Sequence, residues 1–513
     1  MHVLRLILGF SAASILIRFP FFFRDVIDWD ESTFILVGQA WLDGHLPYVT
    51  LWDNKPPLLF AVYAGILAGF GKTIAAVRLA GALMVGMTAT ACSLTAARLG
   101  RAEEGEGSPG HVADPTSARK SERASTWAGL GAGSACVVLL TVGSGGLATM
   151  SETVAVVPLM AAVALLVHGP RHATGWMLVG LLLSVAALIR LNLAIPAVSA
   201  WLLSYLDTTR RRMLAIASGA SVPIAGLGLL YGLSGHLSLL WSSVVLAPFR
   251  YATVPLYLSA TATTGRLSFQ GRWKPSVWLS AMGLATLLSI LATGERWSHY
   301  WLQVHPFLAV LLGLVLGGLV TGRIHLLEGT VSLGVPRWVR VVGVAGLLGL
   351  GGFGVLRLGH HYGALVSAWD ADREARRASR LDLGWSYGTA VEVARLLDRH
   401  DPTHPPMFLA TAHLAYWFLD QRPLTRMSTH PSNLLRAHLL RTVEGEDADA
   451  VSELRRILDQ KPSFIVVERD LGRFQKDAAA EALLGGELER SYRLLGTVEH
   501  IGVFRRIPRV GPL

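Results

Sequence analysis

Over the first 360 positions, apolar residues come in long unbroken blocks separated by short polar joints. A helix needs about 20 mostly apolar residues to cross a bilayer. Blocks near that length lie at Leu6–Phe23, Leu79–Ala97, Trp127–Leu147, Thr153–Val167, Gly175–Leu188, Leu193–Leu206, Met213–Leu233, Val277–Leu291, Trp301–Val320 and Val341–Leu358. The first has no small-residue cleavage site and ends in three phenylalanines, so it reads as a retained anchor. Leu237–Leu258 carries Pro248, Arg250 and Pro255, which makes it a poor span and a re-entrant or interfacial candidate. Leu58–Phe70, behind two prolines, reads as a helix lying along the outer face. The pattern predicts a polytopic α-helical membrane protein with ten or eleven transmembrane helices.

After Leu358 the pattern changes. Residues 370–513 have ordinary charge density, an amphipathic helical stretch at Tyr387–Arg399 and strand-like runs at Met407–Ala410 and Phe464–Glu468. The expected organisation is a transmembrane domain over 1–360, with its first long loop at 24–78, and a small soluble α/β domain over 361–513. Residues 100–126 mix acids, bases, Gly, Pro and Ser, and read as a flexible loop. Neither internal repeats nor inverted halves are visible.

Composition agrees: of 513 residues, 52% are hydrophobic and only 16% charged, against about 25% in soluble domains. Cys92 and Cys136 both fall in apolar runs, which fits small core residues and not a disulfide framework or thiolate metal site. The net charge of +10 comes from short loops and not from a basic patch interleaved with aromatics, so nucleic acid is not a partner. Lys and Arg resist translocation, and the Arg210–Arg212 run and the loop holding Arg323, Arg337 and Arg340 are the best cytoplasmic markers. That parity puts the first loop and the tail outside the cytoplasm.

The first loop holds six acidic residues between Asp25 and Asp53, next to Lys55. Carboxylates in any aqueous loop are often just solvated. Their order here is more informative: Asp28, Asp30 and Glu31 stand near the membrane surface, an apolar helix-like stretch follows, then a Gly-His-Leu-Pro-Tyr turn, then Asp53-Asn54-Lys55-Pro56-Pro57. The proline pair restricts the backbone at Lys55 and aims its ammonium.

The acidic pair after the first helix and "GHLPYVTLWDNKPPLLF" resemble the bacterial relatives of dolichyl-phosphate-mannose protein mannosyltransferases and the lipid A aminoarabinose transferases. "MSETVAVVPL", "RWSHYWLQVHPFLAVLLG", "FLATAHLAYWFLDQRPLTR" and "KPSFIVVERD" extend the resemblance over most of the chain. It implies a GT-C fold and a membrane glycosyltransferase, hexosyl or pentosyl, of the bacterial plasma membrane. Such an enzyme moves a sugar from a polyprenyl-phosphate donor to a glycan, lipid or protein acceptor on the extracytoplasmic face, with inversion.

That chemistry needs a base for the acceptor hydroxyl and positive charge for the departing phosphate. Asp30 is the candidate base, with Asp28 its rival in "DWDE". Lys55 is the candidate phosphate cation, with Arg190, His299 and Tyr300 as helpers. Glu31 and Glu152 either hold a divalent cation such as Mg or Mn, which prefers oxygen ligands, or position Lys55 and the acceptor. Each has a plainer reading: a helix cap for the acids, a snorkelling Arg190, an interfacial belt for His299 and Tyr300. Arg78, Arg250 and His45 receive no role. The rival functions are a transporter or lipid flippase, whose charges usually gather near the midplane, and a scaffold whose tail binds partners.

Overall fold

A computed structural model describes residues 2–102, 115–143, 145–206, 210–251, 274–294, 297–326, 331–334, 336–378, 381 and 386–508. Its helices are α1 (His2–Arg18), α2 (Trp29–Leu42), α3 (Pro57–Phe70), α4 (Ile74–Ala102), α5 (Pro115–Val142), α6 (Ser151–His168), α7 (Ala173–Ile189), α8 (Ala194–Leu206), α9 (Arg210–Leu233), α10 (Leu237–Trp241), α11 (Ala247–Tyr251), α12 (Pro275–Leu291), α13 (His305–Thr321) and α14 (Arg337–Ala378). The tail adds α15 (Thr389–His400), α16 (Ala415–Phe418), α17 (Pro431–Leu435), α18 (Ala437–Glu444), α19 (Ala450–Asp459) and α20 (Ala478–Ser491). Among the described residues, 5 helical segments are long and apolar enough to cross a bilayer: His2–Phe21, Ile74–Arg101, Ser121–Val142, Ser151–His168 and Arg210–Leu233. Shorter apolar helices cover Pro57–Phe70, Ala173–Ile189, Leu191–Ser204, Leu237–Leu246, Pro275–Leu291 and His305–Thr321.

Several expected boundaries move. The loop expected at 100–126 is helical from Pro115 onward, because Ala, Arg, Lys and Glu are good helix formers even where they are too polar to enter lipid; its middle, 103–114, lies outside the described residues. The span expected from Trp301 begins at His305, preceded by a 3-10 turn at Ser298–Gln303, since Pro306 suits a first helical turn and not a helix interior. α14 runs on through the domain boundary expected near residue 360, for the same propensity reason. In Leu237–Leu258, the described part is two short helices joined by a π turn at Ser242–Leu246. Pro248 lacks an N–H, and its ring crowds the preceding turn, which the wider π turn relieves. The stretch between Pro255 and Pro275, too short to suggest the helix that the resemblance implies there, lies outside the described residues up to 273.

The chain forms two compact units: 1–20, 79–229 and 252–364 make the first, and 21–78, 230–251 and 365–513 the second. In the first unit, helices approach closely because small residues line their seams. On α13, Gly313 and Gly317 sit against Ala128 and Ala132 and against Ala124 of α5, so close that a Cβ on either glycine would overlap α5 backbone. Gly180 of α7 and Gly219 of α9 meet Ile216 and Met177 carbonyls in the same way. Packing of this kind holds helices together in lipid, where the hydrophobic effect does not. Cys92 and Cys136 are free and buried. Arg340 closes the C-terminus of α13, donating to the Leu319 and Val320 carbonyls at 2.7 and 2.8 Å.

In the second unit, the first loop and the tail fold as one body. Besides the antiparallel pair β1 (Arg323–Leu326) and β2 (Val331–Gly334), which belongs to the first unit, the described strands form the tail sheet of β3 (Met407–Leu409), β4 (Phe464–Glu468), β5 (Tyr492–Val498) and β6 (Ile501–Arg506) in the order β3-β4-β6-β5, where only the β3/β4 pair is parallel. The strand runs expected from the sequence become β3 and β4, both buried. Trp52 straps the loop to the tail. Its N–H donates to the Arg426 carbonyl at 2.8 Å, and its carbonyl accepts from Thr429 Oγ1 at 2.6 Å and Asn433 Nδ2 at 3.3 Å. Asp25 makes a second strap, its carboxylate accepting the Val391 N–H at 2.8 Å at the start of α15.

Candidate active site

The acids of "DWDE" have three different placements. Asp28 is the N-cap of α2, its Oδ1 accepting the Asp30 N–H at 3.0 Å. This is the capping role short polar residues take at a helix start. Glu31 points into the core and is ion-paired with Arg78 of α4, both side chains nearly inaccessible. Arg78 Nη2 also donates to the Arg24 carbonyl at 3.2 Å. Asp30, on the third face, keeps 25% of its side chain exposed and faces Lys55, with Oδ2 3.5 Å from Nζ.

Lys55 is held by its surroundings. Tyr48, in the left-handed region at φ 72°, turns the chain back so that its N–H donates to the Leu51 carbonyl at 2.8 Å. Its hydroxyl donates to the Lys55 carbonyl at 2.6 Å. A non-glycine residue persists at such an angle only where its neighbours over-determine it; here Tyr48 is fully buried against Phe60 and Tyr231. Behind Lys55, Pro57 opens α3, with φ already suited to the helix. The ammonium donates to Asn54 Oδ1 at 3.0 Å, lies 3.8 Å from Asp53 Oδ1 and sits 5.5 Å above the centre of the Phe34 ring. Burial raises the pKa of Asp53; Lys55 draws it back and Asp30 adds to the rise.

The tail completes this wall with residues to which sequence reasoning gave no role. His430 Nε2 lies 3.7 Å from Asp30 Oδ1. His413 Nε2 bonds Thr33 Oγ1 at 3.2 Å and the Trp29 carbonyl at 3.3 Å. The Arg473 guanidinium stacks over Trp29, 4.7 Å from the ring centre. Burial, with His430 and Arg473 adding to it, pushes His413 down to about 3; burial, with Arg473, Lys55 and Arg436 adding to it, pushes His430 down to about 4 against the opposing pull of Asp30, so both are neutral at physiological pH.

The remaining candidates gather in the first unit. Glu152 opens α6 fully buried; Arg190, between α7 and α8, reaches its Oε1 at 2.7 Å and donates to Ser151 Oγ at 2.8 Å. Arg190 also lies 4.3 Å from the centre of the Tyr300 ring, and His299 Nε2 stands 3.8 Å from Glu152 Oε1. Arg18 donates to the Gly146, Leu147 and Ala148 carbonyls at 2.5–3.2 Å and so fixes the turn that delivers Glu152. Glu31 and Glu152, the candidate metal ligands, are therefore in different units, each paired with an arginine. Among the described residues, no group of three or more His, Cys, Asp or Glu is placed to hold a metal.

No protein-family model and no curated protein matches the sequence. Among the solved structures that match the chain are ArnT from Cupriavidus metallidurans bound to undecaprenyl phosphate (15% identity, TM-score 0.52, covering 99% of each chain) and ArnT from Cupriavidus metallidurans in the apo state (16% identity, TM-score 0.52, covering 100% of each chain). The fold is that of ArnT. That is the fold the resemblance implied, and it is a polytopic membrane one.

Proposed function

We propose that the chain is a membrane glycosyltransferase that takes a sugar from a polyprenyl-phosphate donor and passes it to an acceptor hydroxyl on the extracytoplasmic face of a bacterial plasma membrane. The observation that carries this reading is the Asp30–Lys55 pair: a partly exposed carboxylate 3.5 Å from an ammonium that three neighbours hold in place. The ArnT fold, with undecaprenyl phosphate bound in one of its structures, supports the donor class.

In the proposed step, Asp30 takes the proton of the acceptor hydroxyl. The acceptor oxygen bonds to the anomeric carbon as the bond from that carbon to the phosphate oxygen breaks, and the electron pair leaves with the phosphate. Lys55 stabilises that growing charge in a water-poor site, where preorganised cations act strongly. The products are the glycosylated acceptor, with its anomeric centre inverted, and the polyprenyl phosphate. Asp28 holds the helix that presents Asp30, and Glu31 with Arg78 anchors that helix to α4.

The test is sugar transfer by purified protein in liposomes supplied with an undecaprenyl-phosphate sugar, followed as release of undecaprenyl phosphate. Asp30→Asn should fold normally and lose at least about 100-fold in rate, within the range removal of a general base produces. A folded Asp30→Asn protein that transfers sugar at the normal rate rejects the assignment. Transport of the lipid without any glycosyl transfer favours the flippase reading instead.

A further inference from the structure

His430 has its hydrogen-bonding state dictated by the chain around it. It immediately precedes α17, and its Nδ1 accepts the Ser432 backbone N–H at 3.1 Å. A ring nitrogen that accepts carries no proton, so in the neutral ring the proton is on Nε2. That is the nitrogen facing Asp30 Oδ1 at 3.7 Å. The ring is buried and fixed from two further sides, by Trp29 edge-on at 6.2 Å and by His413 edge-on at 5.7 Å. His413 spends its own Nε2 on Thr33 and the Trp29 carbonyl, and so braces the ring.

We propose that His430 is a positioning residue for the Asp30 base, delivered by the tail: its Nε2–H donates to Oδ1 and leaves Oδ2, which faces Lys55, to receive the acceptor proton. This rests on the glycosyl-transfer reading above. The gap of 3.7 Å is wider than a hydrogen bond, and it closes by a small rotation when substrate orders the site, as catalytic hydrogen bonds commonly tighten on binding. The groups around the pair are Lys55 and Asp53 from the loop before α3, Asp28 from the start of α2, and His413, Arg436 and Arg473 from the tail. Burial, aided by Arg473, Lys55 and Arg436 and opposed by Asp30, keeps His430 neutral, so it donates throughout the working range. A hydrogen bond donated to the ionised carboxylate favours that form, and losing it moves the Asp30 titration upward.

Two substitutions separate the donor from the helix cap. In His430→Asn, the amide oxygen stands near Nδ1 and keeps the Ser432 contact, but the shorter side chain no longer reaches Asp30. In His430→Gln, the amide nitrogen stands near the Nε2 position. The assay is steady-state transfer in liposomes with an undecaprenyl-phosphate sugar as probe, across pH. For His430→Asn the expected result is kcat lower by about 10- to 100-fold, donor KM within about twofold, and the acid limb of kcat/KM displaced upward by roughly half to one pH unit. His430→Gln should recover most of the rate and return the limb. An Asn variant with native kcat and an unmoved limb overturns the proposal, as do two variants that lose rate equally with no movement of the limb. Wild-type protein that folds and transfers no sugar removes the glycosyl-transfer reading itself and this proposal with it, an outcome distinct from the first two.

Discussion

Replacing Glu31 by Gln tests whether that carboxylate belongs to the chemistry or to the fold. Its partner Arg78 and Glu31 itself have side-chain exposures of 1% and 2%, so no water compensates the arginine once the carboxylate is gone. Removing one member of such a buried pair costs about 3–5 kcal/mol, a large share of the roughly 5–15 kcal/mol that holds a domain together. Replacing both members by apolar residues, Glu31→Leu with Arg78→Met, removes the stranded charge. That double variant should lie within about 2 kcal/mol of the native protein, part of the deficit being the Arg78 bond to the Arg24 carbonyl. Reversible unfolding in mixed micelles, followed by tryptophan fluorescence, measures the energies, and the transfer assay measures function. A Glu31→Gln cost below about 1 kcal/mol would refute the buried-pair argument. A double variant with native stability and no transfer would show instead that Glu31 acts on substrate or metal.

The other predictions concern charge and pH. Asp25, raised by burial to about 6 from 3.8, binds its proton more readily folded than unfolded. Unit stability should therefore fall as pH rises from about 4 to 6, by up to about 3 kcal/mol, and Asp25→Asn should flatten that slope in unfolding titrations. Lys55→Ala should lower transfer by about 100-fold or more, and Lys55→Arg should restore only part of it, because the guanidinium does not fit the Asn54–Asp53 cradle of a compact ammonium. Transfer should continue in excess chelator, since the acids expected to bind metal are paired with Arg78 and Arg190; loss of activity that is restored by Mg or Mn would overturn that.

What the sequence made legible was whatever depends on neighbours in the chain. Apolar runs marked the long helices because length and composition alone decide whether a helix suits lipid. Asp30 and Lys55 stood out because a turn lies between them and a proline pair follows Lys55, and the Tyr48 turn does bring them together. The pairs Glu31–Arg78 and Glu152–Arg190 were not legible, although all four residues were noticed, because ion pairing across separate helices leaves no local pattern. His430 was less visible still: it reaches Asp30 across four hundred positions. Its one local sign is a histidine placed before a proline-opened helical turn, which reads equally well as an ordinary cap. Helix ends at Pro115 and Ala378 differ from the apolar pattern because polar helix formers carry a helix beyond its apolar part, and the start at His305 differs because Pro306 belongs in a first helical turn.

The most direct measurement is mass spectrometry of the lipids that leave the membrane with the purified protein. Wild-type protein should carry a polyprenyl phosphate or its sugar conjugate, Asp30→Asn should retain the intact sugar conjugate it cannot discharge, and Lys55→Ala should be depleted of both. Preparations of all three that are free of any isoprenoid phosphate, from cells that make it, would contradict the account.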